Sequence, residues 1–281
     1  MLFRTGSVGA LLLALTLAAC ATPTPTHVAL APAAQGNFTS TEVVAPVAQN
    51  EIYVYVPPTT AGAGQGLIGA LIDAGVDSYR AGTAEHDVKA LRDTVVDMSF
   101  DTDLTNQLKA SLGQIGWLHV DGVRVTKEVG PKKVDATIGG SKAGAVMIAI
   151  ADYQLSNDGR MLTITVNVDL YPNSAALAAF RPGKGSADAP SAPSNALYRN
   201  TFIFQSELPG PPAKRDANMA AWTAYNGGAF RTAMKLGVTK LGEMIAADLQ
   251  AGPGGAPGQV AKTSDGVELR GDDGSLVFQA N

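Results

Sequence analysis

Residues able to do chemistry are few in this 281-residue chain, and they do not converge in sequence. Asp97, Asp101 and Asp103 place three carboxylates within one short stretch, a density of oxygen ligands that suits calcium. The alternating ligand pattern with a central glycine and a closing glutamate is absent there, and helix capping accounts for Asp101 and Asp103 without a metal. His86 and His119 are isolated from other strong ligands or nucleophiles. No Gly-x-Ser-x-Gly elbow locates a serine for them, and Gly139-Gly140-Ser141-Lys142 reads as part of a Gly/Lys loop over 129–142. Gly62, Gly64 and Gly66 resemble a phosphate loop only superficially, because no Lys-Ser/Thr pair follows. No catalytic residue, cofactor or metal ligand is therefore expected, and a hydrolase built from distant residues is the least favoured reading.

Cys20 is the exception, and it is the only cysteine in the chain. Arg4 supplies a positive start, residues 8–17 (VGALLLALTL) a short apolar run, and Ala18-Ala19 the small residues before it. A run of that length is too short for a bilayer, which needs about 20 apolar residues, and suits the core of a cleaved signal peptide. Leu17-Ala18-Ala19-Cys20 resembles the lipobox of bacterial lipoproteins. The resemblance implies cleavage after residue 19 and acylation of Cys20, with the membrane bound through its acyl chains. More than one chain makes such an anchor stable, since each buried CH₂ contributes about 0.8 kcal/mol. Ala21, in place of an aspartate, implies the outer membrane by analogy with enterobacterial sorting, with the body facing the periplasm.

Composition narrows the remaining possibilities. The formal charge is −4 and no basic stretch stands out, so nucleic acid is not an expected partner. With its single cysteine acylated, the mature chain would hold no disulfide and would rely on an ordinary core. Residues 20–49, rich in Thr, Pro and Ala, read as a lipidated N-terminus and flexible tether spanning roughly 30 Å as loose coil.

The elements that would position any site follow from periodicity. Residues 51–56 (EIYVYV) predict a first strand, ended by Pro57-Pro58. Apolar spacing predicts helices over 66–80, 83–96 and 102–113, the last with Asp101 or Asp103 at its start. A strand over 120–125 precedes a long hairpin, 143–155 and 160–171, turned by Asp158-Gly159. Its return strand alternates Leu162, Ile164, Val166, Val168 and Leu170 with polar residues, giving one buried and one wet face. Residues 172–194 form a long loop, and 195–206 another strand.

A helix over 216–250 carries Met219, Trp222, Tyr225, Phe230 and Leu241 in an apolar stripe, with Gly227-Gly228 able to bend or split it. After a hinge from residue 252, turns at Asp265-Gly266 and Asp273-Gly274 predict a small β-meander to 281. The fold class is α+β, an antiparallel sheet with helices on one face, and the main domain spans 50–251.

The segments GLIGALIDAGVDSYRA, AEHDVKALRDTVVDMSFDTDL and AFRTAMKLGVTKLGEMIAADL are similar to stretches of uncharacterised proteobacterial lipoproteins. The arrangement as a whole resembles small periplasmic transport-accessory and secretion lipoproteins. That resemblance implies a non-enzymatic accessory or assembly factor that binds another envelope component. The alternative is a module holding a lipid or small apolar ligand between sheet and helices, in a cavity lined by residues such as Trp222, Phe230 and Met234.

Overall fold

The computed structural model describes residues 27–56, 82–182, 189–252 and 258–281. The signal segment, Cys20, the glycine loop and the helix expected over 66–80 lie outside them. The chain is α+β. Nine strands make one mixed sheet in the order β3-β1-β4-β5-β6-β9-β8-β7, with β2 also on β4. These strands are β1 (Thr41–Pro46), β2 (Tyr53–Val54), β3 (Val120–Thr126), β4 (Ala145–Leu155), β5 (Met161–Pro172), β6 (Tyr198–Glu207), β7 (Val260–Lys262), β8 (Gly266–Arg270) and β9 (Leu276–Ala280).

The sheet is partly parallel, contrary to the antiparallel expectation. β1 runs parallel to both β3 and β4, β2 parallel to β4, and β9 parallel to β6, while β4-β5-β6 and β9-β8-β7 are antiparallel. Two of the four parallel pairings involve β1, which lies inside the stretch expected to be a flexible tether. Thr41 pairs with Ala145 and Val120 on either side, and Val43, Val44 and Ala45 are all buried. A strand covered on both faces shows no polar alternation, so its sequence does not look like a half-wet strand. Upstream, Val28 bridges Arg199, so the folded body begins within eight residues of Cys20.

The β4–β5 hairpin follows its sequence closely. Gly159 takes φ 69° and donates its N–H to Ser156 O at 2.7 Å, while the Asp158 carboxylate accepts from Arg160 N at 3.1 Å. The odd–even burial of β5 puts Leu162, Ile164, Val166, Val168 and Leu170 in the core. The meander also forms as expected, but β9 hydrogen-bonds to β6, so it extends the main sheet rather than standing apart.

Three helices, α1 (Gly82–Thr94), α2 (Phe100–Leu112) and α5 (Arg215–Ala251), pack on one face. The opposite face carries a further helix. The expected Gly/Lys loop instead holds α3 (Pro131–Gly140), whose Val134 and Ile138 cover Val44, Val146 and Ile148. Proline at its first turn, where the N–H needs no partner, starts it. A one-turn helix, α4 (Ala175–Ala178), sits in the long loop after β5. α2 is capped by Ser99, whose Oγ accepts from Thr102 N at 3.3 Å. Asp101 and Asp103 therefore lie in its first turn, where their charge suits the helix dipole, and not at the cap.

α5 is not one straight rod. Backbone at residues 224–227 is non-helical, with Tyr225, Asn226 and Gly227 in succession at φ 52°, 57° and 70°. The break lets the first segment dock on the hairpin turn. There Trp222 Nε1 donates to Gly159 O at 2.7 Å and Asn218 Nδ2 to Asp158 O at 2.9 Å. The second segment lies along β5 and β6. Gly237 makes that close approach possible, since a Cβ there would stand 2.6 Å from both Ile164 and Phe204.

Candidate functional site

The carboxylates that gather in sequence disperse in space. Asp97 forms a two-pronged pair with Arg231, at 2.5 and 3.0 Å, which holds its carboxyl below the usual carboxylate range. Asp101 pairs with Lys127 at 2.7 Å. Among the described residues no group of three or more His, Cys, Asp or Glu side chains could hold a metal ion.

The histidines also stay apart. His86 lies in an open charged depression with Glu85, Lys89, Arg92 and Asp93. His119 takes the left-handed conformation at φ 47°, and its carbonyl accepts from Thr41 N at 2.8 Å, a role in placing β1. Ser141 caps the end of α3, and its Oγ accepts from Ala143 N at 3.2 Å.

A small cleft, lined in part by Phe230 and Met234 as the ligand-cavity expectation had it, shares Glu51 and Arg92 with the depression at His86. Its walls are the end of α1 and the α1–α2 loop (Val95, Val96, Met98), the start of α2 (Phe100), Tyr153 of β4, Ile52 before β2, and Phe230 and Met234 of α5. Asn50, Glu51 and Arg92 are its polar members. Inside it the Phe100 and Tyr153 rings lie 4.4 Å apart. Arg92 is held by Ile52 O at 2.7 Å, by a two-pronged pair with Glu85 and by Glu51 at 3.2 Å.

The cleft volume is about 170 Å³. That is below the roughly 300–1,000 Å³ of ligand pockets and close to the ~150 Å³ apolar cavity that takes up benzene. Trp222, expected to line a ligand cavity with Phe230 and Met234, does not reach it. Its ring is buried, meets Phe230 edge-on at 6.0 Å and is fixed by the Gly159 carbonyl.

Tyr225 departs from the stripe that placed it at helical spacing with the core. Because the helix breaks at its position, the side chain points outward and is 97% exposed. A left-handed backbone at a bulky residue costs on the order of 1–3 kcal/mol, which surrounding contacts must offset. Here Arg231 supplies them, donating from Nε to Asn226 O at 2.8 Å and from Nη2 to Thr94 O at 2.9 Å. The break is thereby fastened to the last residue of α1, just before the loop whose Val96 is 83% exposed.

Behind the cleft, on the other face of β4, is a pair that sequence reasoning missed. The Tyr53 hydroxyl donates to both oxygens of Asp152 at 3.0 and 3.2 Å. Burial is the first cause of the shift that takes Asp152 up to about 6, against the lowering effect of the Tyr53 hydrogen bond. Burial and the Asp152 charge push the Tyr53 phenol above its ordinary range. The available signal was an aspartate directly after the apolar run AVMIAIA in the strand AVMIAIADYQL.

A carboxyl whose folded value lies above its unfolded value binds its proton more tightly when folded, so its contribution to stability falls as pH rises between the two values. For Asp152 that window runs from 3.8 to about 6. Asp152→Asn, which still accepts from Tyr53, is expected to be more stable than the parent at pH 7 by roughly 1–3 kcal/mol and equal to it near pH 4. Urea unfolding of both chains at the two pH values checks this; a variant less stable at pH 7 would show that the charge is needed.

No family model matches this chain, and no curated protein matches it. Among solved structures it is similar to a PelC dodecamer from Paraburkholderia phytofirmans, with 14% identity and a TM-score of 0.27, covering 80% of this chain and 94% of that one. A single-substitution variant of the same PelC gives 14% identity and a TM-score of 0.27, with 80% and 96% coverage.

Proposed function

We propose that the protein is a lipid-anchored envelope protein, held at the outer membrane and facing the periplasm. It acts without catalysis, as an accessory or assembly factor that binds another envelope component. The observation that carries this reading is Cys20, the only cysteine, directly behind a short apolar run and two alanines. Eight residues from Cys20 to Val28 reach at most about 28 Å, so the body is held close to the bilayer and not on a long leash. Among the described residues no helix is long and apolar enough to cross a membrane, which leaves acylation as the attachment this reading uses.

Crosslinking in the intact envelope followed by mass spectrometry tests the accessory role. The expected outcome is a reproducible adduct between this chain and one other envelope protein. Adducts with no protein other than itself, across replicate preparations, would remove the accessory reading.

A further inference from the structure

We infer that the open face of the sheet at its β6-β9-β8-β7 end is a lipid-contact surface, laid against the bilayer that carries the anchor. Pairing register sets four aliphatic side chains in one row there: Ile203 of β6 is opposite Val277 of β9, Val277 opposite Leu269 of β8, and Leu269 opposite Val260 of β7. Directly opposed residues share a face, and neighbours along a strand alternate. Phe204 and Phe278, one position along, are buried and stack at 6.0 Å beneath α5, so the row points away from the helices. None of the four belongs to either hydrophobic core of the described residues. Ile203 and Val277 are partly exposed, Leu269 is 36% and Val260 54% exposed. The wet face of a sheet is ordinarily polar, and an edge strand ordinarily carries charge, so this row stands out on both counts.

A bilayer is the occupant that the row fits. With strands about 4.8 Å apart, it makes a strip roughly 14 Å long and one residue wide. That falls far short of the ~800 Å² per partner of a stable protein complex, whereas a lipid surface needs no complementary partner face. The place where the chain enters the body points the same way. Val28 and Arg199 exchange two hydrogen bonds of 2.9 Å, and Arg199 stands four residues before Ile203 on β6, about 13 Å along the strand. His27 abuts the β8–β9 turn, where a Cβ on Gly274 would stand 2.6 Å from it. Cys20 lies at most about 28 Å from Val28, so the row is within reach of the membrane that would hold Cys20.

Charge on this face agrees. Register places Val260 and Lys262 of β7, Val267 and Leu269 of β8, and Val277 and Gln279 of β9 on it, so its charge on these three strands is the cation of Lys262. An ammonium on a long apolar stem suits the boundary between acyl chains and anionic headgroups. The carboxylate of the β7–β8 turn, Asp265, is taken up by Lys240 of α5 at 3.1 Å. A contact of this size is a second, weak signal that orients a body already held by acyl chains, and it rests on the anchored reading above.

The test attaches the fluorophore NBD to the full lipidated chain, whose Cys20 thiol the acyl group blocks, through Leu269→Cys or, on the exposed side of α5, through Lys235→Cys. The chains are placed in vesicles of phosphatidylethanolamine and phosphatidylglycerol that contain a spin-labelled phospholipid. NBD at 269 is expected to be quenched several times more strongly than NBD at 235. Val260→Asp, at an exposed edge position, is expected to bring the two to the same level. Equal quenching at both positions of the parent would overturn the inference. So would NBD at 269 whose emission shifts to the blue without lipid quenching, as burial against a second copy or another protein would give. Flotation of the same vesicles reports the anchor separately. A chain that floats without preferential quenching at 269 fails this inference alone; one that does not float fails the anchored reading and this inference with it.

Discussion

Cys20→Ser is expected to move the protein out of the membrane fraction almost completely. Serine has no thiol to form the thioether, so the acyl chains that would hold the mature chain are never attached. The difference is large because anchoring energy scales with buried CH₂ groups, about 0.8 kcal/mol each. Fractionation of cells expressing either chain, with intact-mass measurement of the N-terminus, reads both consequences. The parent should sediment with membranes and carry acyl mass on Cys20, and the variant should be soluble or retain its leader. A Cys20→Ser chain that stays with the membranes would remove the anchor from the proposal.

The second large effect concerns folding. Asp248 of α5 is buried among three donors: Tyr198 Oη at 2.6 Å, Asn200 Nδ2 at 2.9 Å, and the guanidinium of Arg270 on β8. The side chains of Arg270 and Asp248 are only 10% and 4% exposed. This one carboxylate therefore joins the long helix to β6 and to the meander. Asp248→Ala would leave a buried guanidinium without its counter-ion and two further donors without an acceptor. Breaking such a pair from one side costs about 3–5 kcal/mol, a large share of the 5–15 kcal/mol that stabilises a typical domain.

Asp248→Leu combined with Arg270→Met removes both charges and is expected to cost less than the sum of the two single changes. Urea denaturation of the two single variants and the double completes the cycle. Strict additivity would mean that the two groups do not act as a pair.

The site itself was only partly legible. Phe230 belongs to a stripe that periodicity assigns to the core, Met234 was expected beside it only as the lining of a ligand cavity, and both face inward. Whether the stripe closes completely depends on where the α1–α2 loop rests, and no local pattern encodes that. Tyr225 illustrates the same limit from the other side. Gly227-Gly228 signals a possible break, but the left-handed run begins two residues earlier, at a tyrosine that helical spacing places with the core. Its outward direction follows from the contacts of Arg231 with Asn226 and Thr94, the latter more than a hundred residues away in sequence.

The sequence by itself determined the elements whose signals are local. The β4–β5 hairpin, the punctuation of α5 by Pro211-Pro212 before and Gly252-Pro253 after, the three short strands of the meander and the Leu-Ala-Ala-Cys motif can all be read within a few residues of themselves. Period-2 burial, turn glycines and helix stops act at that range. Only the tertiary structure decided that residues 41–46 form a strand in the body, that the sheet is mixed, and that α3 covers the opposite face. β1 is fixed by partners about 80 and 100 residues further on, Val120 and Ala145. Buried on both sides, it carries no alternation to announce itself, and its threonine and proline neighbours imitate coil. Its parallel pairing and the position of the body close behind Cys20 are therefore consequences of long-range packing.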